Sequence, residues 1–443
     1  MPKIANRIVI AVLAVLVIAG GGLVTTSAAG VLSPPTATLD PGSYVLPPPT
    51  PEPAEPGLEV PDASRTADSA WIQQALDGLD RRGLGTVSYC VTDLSGNQVA
   101  AEDGDTARIP ASSWKLVTSM AVLSAYGPNQ RFTTTVVSSS TGIVLVGAGD
   151  PFLTKAPPLT EGQAQIQDLA NQTVTALSNA GSTTVTLGYD DSLFAGPQWN
   201  PAWPTRFAAD VAPISALSVD PNGSADSNTS ADAAQYFKGL LAAQGISVTS
   251  VQPEHADAGA TVLASVDSLP LGQIVARVLS NSDNFGAEVL ARHAAVAAGG
   301  DGSYGSVQSA LTAYLQSHNL WTSGMSVSDG SGLSNTNLIP PSVFAKAVRT
   351  MYADPDLVDI LVGMPVAGVD GTLSRRFDDP DEANGRGVVH AKTGTLDIGV
   401  RTLTGFAQSS TGAVMVFSFM LNGLSSDAAG VNWLDEAGAV LAS

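Results

Sequence analysis

The 443-residue chain holds a single cysteine, Cys90. No intramolecular disulfide can form, and a lone thiol in the apolar run 86–91 reads as a buried, inert side chain. Positive charge is also scarce: 20 Lys and Arg stand against 40 Asp and Glu, a formal net charge of -20. That balance argues against nucleic acid or an anionic membrane surface as a partner. The four histidines, His255, His293, His318 and His390, show no metal-ligand spacing such as His-Glu-x-x-His, so neither a metal nor a cofactor is called for. His390 stands close to Lys392 and reads as structural. No serine lies in a Gly-x-Ser-x-Gly elbow. Charged residues make up only 14% of the chain and hydrophobic residues 44%, ample for a buried core, and the length points to two domains.

The N-terminus carries Lys3 and Arg7, then an unbroken apolar run over 8–19. A basic start, an apolar stretch of about 12 residues and small residues through Ala29 read as a secretory signal peptide, with Ser27-Ala28-Ala29 as the cleavage site. A retained anchor over 8–24 is the competing reading, since that length is marginally enough to span. Either way the body lies outside the cytoplasm, in the periplasmic or cell-wall space, secreted or held at the membrane by its N-terminal segment. Residues 32–61 are proline-rich, including Pro47-Pro48-Pro49. They read as an extended spacer rising on the order of 3 Å per residue.

Folded sequence is expected from about residue 66. Ile72, Leu76 and Leu79 repeat at helical spacing, with Gly83 as a stop. Residues 86–91 and 98–102 read as strands joined by a turn at Ser95-Gly96-Asn97. A helix is predicted over 112–126, closed by Gly127. At the other end, 388–395, 401–408 and 414–421 read as strands, and 427–441 as a helix. Both ends therefore belong to one sheet with helices on it, an α/β (α+β) class. The middle has a different texture, rich in Thr, Val and Ser over 132–146 and 183–188. The boundaries expected are 1–29 for the signal or anchor and 30–65 for the linker. Residues 66–130 with 270–443 form a first domain, and 131–269 a β-rich second domain inserted into it.

Three short motifs stand in order: Ser112-Ser113-Trp114-Lys115, Ser282-Asp283-Asn284 and Lys392-Thr393-Gly394. Together they make the constellation of a serine acyl-transferase that uses lysine as its base. A serine hydroxyl needs an adjacent base, and Lys115 at i+3 lies on the same helix face one turn on. A lysine amine serves as base only if burial or a nearby positive charge draws its pKa toward 7. Lys392 is expected to supply that charge. Ser113 has no lysine at i+3 and is the poorer nucleophile. The second motif falls between helical patterns at 271–279 and 287–297, where Ser282 could relay a proton and Asn284 could bind an amide. On the third motif's strand, Gly394 lets a substrate backbone approach. Lys392 and Thr393 would take a substrate carboxylate, and the N–H groups of Ser112 and Thr395 would form an oxyanion hole. Any one motif alone reads as an N-cap serine, an interhelical turn or a strand end; the ordered set carries the argument.

With these motifs, and with Pro110-Ala111, Gly149-Asp150-Pro151, 213–222 (PISALSVDPN), 329–334 (DGSGLS) and 368–373 (GVDGTL), the chain over about 69–441 resembles the low-molecular-mass class C penicillin-binding proteins. These are D-alanyl-D-alanine carboxypeptidases, often also endopeptidases. The resemblance implies a β-lactamase/transpeptidase-like domain with an inserted second domain. It implies hydrolysis of the terminal D-Ala of peptidoglycan stem peptides through a Ser112 acyl-enzyme, and β-lactam antibiotics as covalent inhibitors. Members commonly carry a third domain after the stretch matching 213–222; here 223–230 leads directly into a helix-like run, 231–245.

Two alternatives are weighed. A class A β-lactamase needs a Glu-x-x-Leu-Asn loop between the second and third motifs, and the glutamates there, Glu288 and Glu382, do not fit it. A cell-wall binding protein with a silenced site would have no need of both Lys115 and Lys392.

Overall fold

Runs of β-branched and aromatic residues from the two ends of the chain build one sheet. The computed structural model describes residues 67–443, which lie in the unit spanning Leu58–Ser443. The signal or anchor segment and the proline-rich spacer lie outside the described residues. Helix α1 (Ser69–Asp77), strands β1 (Thr86–Asp93) and β2 (Gln98–Glu102) and helix α2 (Lys115–Tyr126) come first. Then follow β3 (Thr133–Ser138), β4 (Ile143–Val146), α3 (Ile166–Asn179), β5 (Thr184–Asp190), α4 (Thr229–Ala243), β6 (Ser247–Pro253) and β7 (Val262–Asp267). Helices α5 (Leu271–Asn281), α6 (Asn284–Ala297), α7 (Tyr304–Ser317), α8 (Pro341–Ala353) and α9 (Val358–Gly363) form the next run. Strands β8 (Val389–Leu396), β9 (Val400–Gln408) and β10 (Val414–Asn422) and helix α10 (Asp427–Ala442) close the chain.

The first sheet has the order β2-β1-β10-β9-β8 and is antiparallel throughout. Strand β10 is central and covered on both faces, so it reads as one apolar run rather than an alternation. Its Phe417, Phe419 and Leu421 pack with Ile72 and Leu76 of α1 and Trp433 and Leu434 of α10. Its Val414, Val416 and Met420 face the opposite layer, with Phe344 and Val348 of α8 and the residues of α2 and α5. Each such side chain contributes about 1.5–3 kcal/mol by leaving water. Cys90 lies in the same sheet, and burial pushes its thiol up to about 11.

The second sheet, order β6-β5-β4-β3-β7, is mixed: β4, β5 and β6 run parallel, and β3 is antiparallel to β4 and β7. Its core joins Val136, Leu145 and Leu187 to Leu169 of α3 and Phe237 of α4. The stretch is thus not strands alone, and α3 lies where no helix was expected. The chain enters and leaves this region at one place. Thr133 pairs with Asp267, Phe132 N–H donates to Ser268 Oγ at 2.9 Å, and Leu271 N–H donates to the Gln130 carbonyl at 2.8 Å. Residues 219–228 pass directly into α4. At the start, α1 ends at Asp77 with Gly78 as its cap, short of Leu79. Among the described residues no helix is long and apolar enough to cross a membrane.

Candidate active site

Ser112 does not open an α-helix as the spacing suggests. It sits in a one-turn 3-10 helix, Ala111–Trp114, and α2 begins only at Lys115. The 3-10 turn places residues i and i+3 over one another, which brings Ser112 and Lys115 closer than an α-helical turn would. Trp114, fully buried, anchors the turn in the core. Ala111 has φ 48, a left-handed conformation that costs a non-glycine residue about 1–3 kcal/mol and is sustained only by tight surroundings. Two glycines provide them. A Cβ on Gly332 would collide with the Ala111 carbonyl, and one on Gly394 would lie 2.7 Å from the Pro110 oxygen and 3.1 Å from Ala111 Cβ. The space at Gly394 is therefore filled by the Thr402 hydroxyl and the turn carrying Ser112, rather than left for a substrate backbone.

Lys115 has no exposed surface. Its Nζ donates to Ser112 Oγ at 2.9 Å, to Asn284 Oδ1 at 2.6 Å and to the Ser331 carbonyl at 2.8 Å. The last two partners can only accept. When the amine is neutral its two protons go to them, and its lone pair is left facing the Ser112 hydroxyl. Burial draws the Lys115 amine down to about 8, against the charges of Asp283, Asp329 and Glu288, which hold it up. Lys392 is also fully buried, and burial followed by the charge of Lys115 sets it well below the ordinary lysine range. Burial, one of the two causes expected for Lys115, comes first for both lysines, and the repulsion between their charges acts within the pair.

The second motif is a helix corner. Ser282 ends α5 with φ 56, Asp283 caps α6 by accepting from Gly286 N–H at 3.0 Å, and Asn284 is the first residue of α6. Asn284 was expected to hold a substrate amide. Here its oxygen takes Lys115 and its Nδ2 donates to the Asp210 carbonyl at 3.1 Å. Ser282 is part-buried and is not among the three partners of Lys115.

The third motif lies on β8, the edge of the first sheet. Lys392 Nζ donates to the Thr393 carbonyl at 2.8 Å, and the Thr393 and Thr372 hydroxyls meet at 2.7 Å. Main-chain bonds from the 365–367 segment cover the first half of this edge, with Ala391 N–H on the Pro365 carbonyl at 2.9 Å. Ser113 turns inward, fully buried, with its Oγ 2.8 Å from Thr402 Oγ1. His390 stacks on Phe406 with ring centroids 4.7 Å apart.

A cleft of about 450 Å³ opens over Ser112. Of the residues nominated from sequence, Ser112, Asn284 and Thr395 line it; Ser282, Lys115, Lys392, Thr393 and Gly394 do not. Its far wall brings Arg206, Phe207 and Asp210 from the segment after β5, and Asn335 and Ile398. None of these was nominated, and no periodicity or motif marks them. Also unassigned from sequence was the part played by Asp329. Fully buried, it accepts from Trp203 Nε1 at 3.0 Å, Asn337 Nδ2 at 2.7 Å and the N–H groups of Gly332 and Ser334 at 2.8 and 2.7 Å. It thereby shapes the loop that offers the Ser331 carbonyl to Lys115.

A serine held by a buried lysine, beside a sheet edge and under a cleft, places the molecule among serine peptidases that use lysine where others use histidine. Within that class the chain belongs to the D-Ala-D-Ala carboxypeptidase 3 (S13) family, which it matches over residues 79–226 and 221–442. It is 32% identical over 398 residues, 85% of each chain, to a carboxypeptidase of Mycobacterium tuberculosis. It is also 32% identical over 414 residues to the carboxypeptidase DacB of Mycolicibacterium smegmatis, covering 88% of this chain and 85% of the relative. In fold it is similar to penicillin-binding protein 4 (dacB) from Haemophilus influenzae, with a TM-score of 0.69 at 20% identity over 84% of this chain and 98% of that one. The same protein complexed with a β-lactam aligns at a TM-score of 0.64 and 22% identity, with the same coverage.

Proposed function

We propose that the protein is a serine D-alanyl-D-alanine carboxypeptidase that cleaves the terminal D-Ala from peptidoglycan stem peptides, with DD-endopeptidase cleavage as a second use of the same site. The observation that carries this reading is the Lys115 amine, 2.9 Å from Ser112 Oγ, with two carbonyl-type acceptors on its other sides. Ser112 Oγ attacks the carbonyl of the penultimate D-Ala while Lys115 takes the hydroxyl proton. The N–H groups of Ser112 and Thr395 hold the oxyanion. Lys392 and Thr393 bind the terminal carboxylate, with Gly394 giving the strand its close fit. The C–N bond breaks, and the proton taken up by Lys115 passes to the departing D-Ala by way of the Ser282 hydroxyl, which gives one proton and receives another. Water then hydrolyses the ester and restores Ser112. Asn284 keeps the Lys115 amine aimed.

β-Lactams are read as covalent ligands of Ser112, a reading supported by the β-lactam complex of the fold relative. Residues 66–130 with 270–443 are read as the catalytic domain and 131–269 as an insertion, supported by the two separate sheets and the paired entry and exit at Thr133 and Asp267. The basic and apolar N-terminal sequence supports export, with removal as a signal peptide or retention as an anchor. The test is release of D-Ala from an acyl-D-Ala-D-Ala peptide by the purified protein, beside Ser112→Ala. Release by the parent and none by the variant is expected; equal release, or none from either, would remove the reading.

A further inference from the structure

Glu288 stands one turn after Asn284 on α6 and has no exposed surface. Its Oε1 accepts the N–H groups of Gly330 and Ser331 at 3.0 and 2.7 Å. On the other side of the same peptide strip, the Gly330 carbonyl accepts from Thr118 Oγ1 at 2.6 Å and the Ser331 carbonyl from Lys115 Nζ at 2.8 Å. The strip is therefore fastened between α6 and α2, its N–H groups on one helix and its carbonyls on the other. Helix α6 fixes two of the three partners of Lys115: Asn284 directly, and the Ser331 carbonyl by way of Glu288.

We propose that Glu288 is a positioning residue for the Ser112–Lys115 pair, acting through the main chain of Gly330 and Ser331 to keep the lysine amine aimed at the serine. This rests on the reading of Lys115 as the base. A purely structural need would be met by a glutamine, which can accept the same two N–H groups. Instead an ionisable carboxyl group is buried there, with its Oε2 unpartnered. The ionisable groups that bear on it come from several elements: Lys115 on α2, Asp329 on the loop and Tyr304 on α7; Asp283 and Arg292, at the start of α6 and one turn after Glu288, act on its neighbours Lys115 and Tyr304. Burial, and then the charge of Asp329, pushes the Glu288 carboxyl well above the usual range. In return, an ionised Glu288 favours the ammonium form of Lys115. The carboxyl thus acts on the amine by geometry and by charge.

The test uses the whole protein as Glu288→Gln and Glu288→Ala. The first readout is the titration of the Lys115 side chain by NMR of ¹³C-lysine-labelled protein, assigned with Lys115→Met. The second is the rate of acylation by benzylpenicillin against pH. In Glu288→Gln the loop keeps an acceptor that cannot ionise; in the parent Glu288 ionises over the same range in which Lys115 loses its proton, so without it the Lys115 midpoint, and with it the acid limb of acylation, moves to lower pH. In Glu288→Ala the loop loses its anchor, and acylation falls about tenfold or more at every pH. An unmoved midpoint and limb in the glutamine variant, with acylation in the alanine variant within about threefold of the parent, would overturn the proposal. Failure of the parent to acylate would defeat the base–nucleophile reading instead, and the Lys115 titration would still decide the role of Glu288.

Discussion

Asn284 Oδ1 and Lys115 Nζ lie 2.6 Å apart although 169 residues separate them in the chain. The contact joins two of the three motifs and makes the protonation of Lys115 sensitive to the side chain at 284. Asn284→Asp would place a carboxylate on the amine, and an opposite charge at that range raises a lysine pKa by about 1–3 units. The acid limb of acylation should move up by that amount, with slow reaction at pH 7 recovered at higher pH. A limb that stays in place would show that Asn284 does not control the base.

The base itself has a pH signature. Lys115 is drawn down to about 8 by burial, so the neutral amine is the minor form at pH 7. Acylation should rise about tenfold from pH 6 to 7 and level off above pH 8. Lys115→Met, which keeps the buried stem, should lower acylation by about 10²–10⁴ while the protein still unfolds cooperatively on heating. A flat profile in the parent, or normal turnover in the variant, would take lysine out of the mechanism.

The hydroxyl pair of Thr393 and Thr372, 2.7 Å apart at the exposed end of the β8 edge, concerns substrate rather than chemistry. A hydrogen bond from Thr393 to a substrate carboxylate is worth about 1.5–3 kcal/mol. Thr393→Val should therefore cut acylation efficiency about 10–100-fold for ligands with a free carboxylate and have little effect on their methyl esters. Equal losses for acids and esters would contradict a carboxylate role.

Much of this site was legible because it is local. The Ser112–Lys115 spacing, the β-branched runs that became β8, β9 and β10, and the helix after the first motif are all written in short windows. Other features leave no local trace. The left-handed turn at Ala111 belongs to a residue that rarely adopts it, and only the approach of Gly332 and Gly394 explains it. The carbonyl of Ser331 and the N–H groups held by Glu288 are main-chain groups, so no residue type announces them. Arg206, Phe207 and Asp210 reach the cleft from a segment without periodicity. Helix α3, by contrast, was readable: Ile166, Leu169, Ala170, Thr173 and Leu177 are its buried face at helical spacing.

His293 gives a stability prediction away from the chemistry. It stacks on Phe132 with centroids 3.7 Å apart, bonds the Gly149 carbonyl at 2.9 Å, and burial draws it down to about 4. Between about pH 6.5 and 4 the unfolded chain takes up a proton that the folded chain does not, so stability falls as pH falls through that window. The shift corresponds to about 3 kcal/mol at the acid end. Urea unfolding of the parent and His293→Gln at pH 7, 5 and 4 should show their stability gap shrinking by about that amount. The carboxyls that burial raises, Asp150, Glu288, Glu382, Asp435 and Glu436, titrate in both proteins and cancel in the difference. A gap that is constant with pH would contradict a neutral buried His293.

The central claim is that Ser112 is a nucleophile activated by Lys115, and intact mass after incubation with benzylpenicillin tests it most directly. One stable adduct per chain, absent from Ser112→Ala, is the predicted result. Rapid penicillin consumption without an adduct would point to a β-lactamase, and the absence of both adduct and consumption would contradict the account.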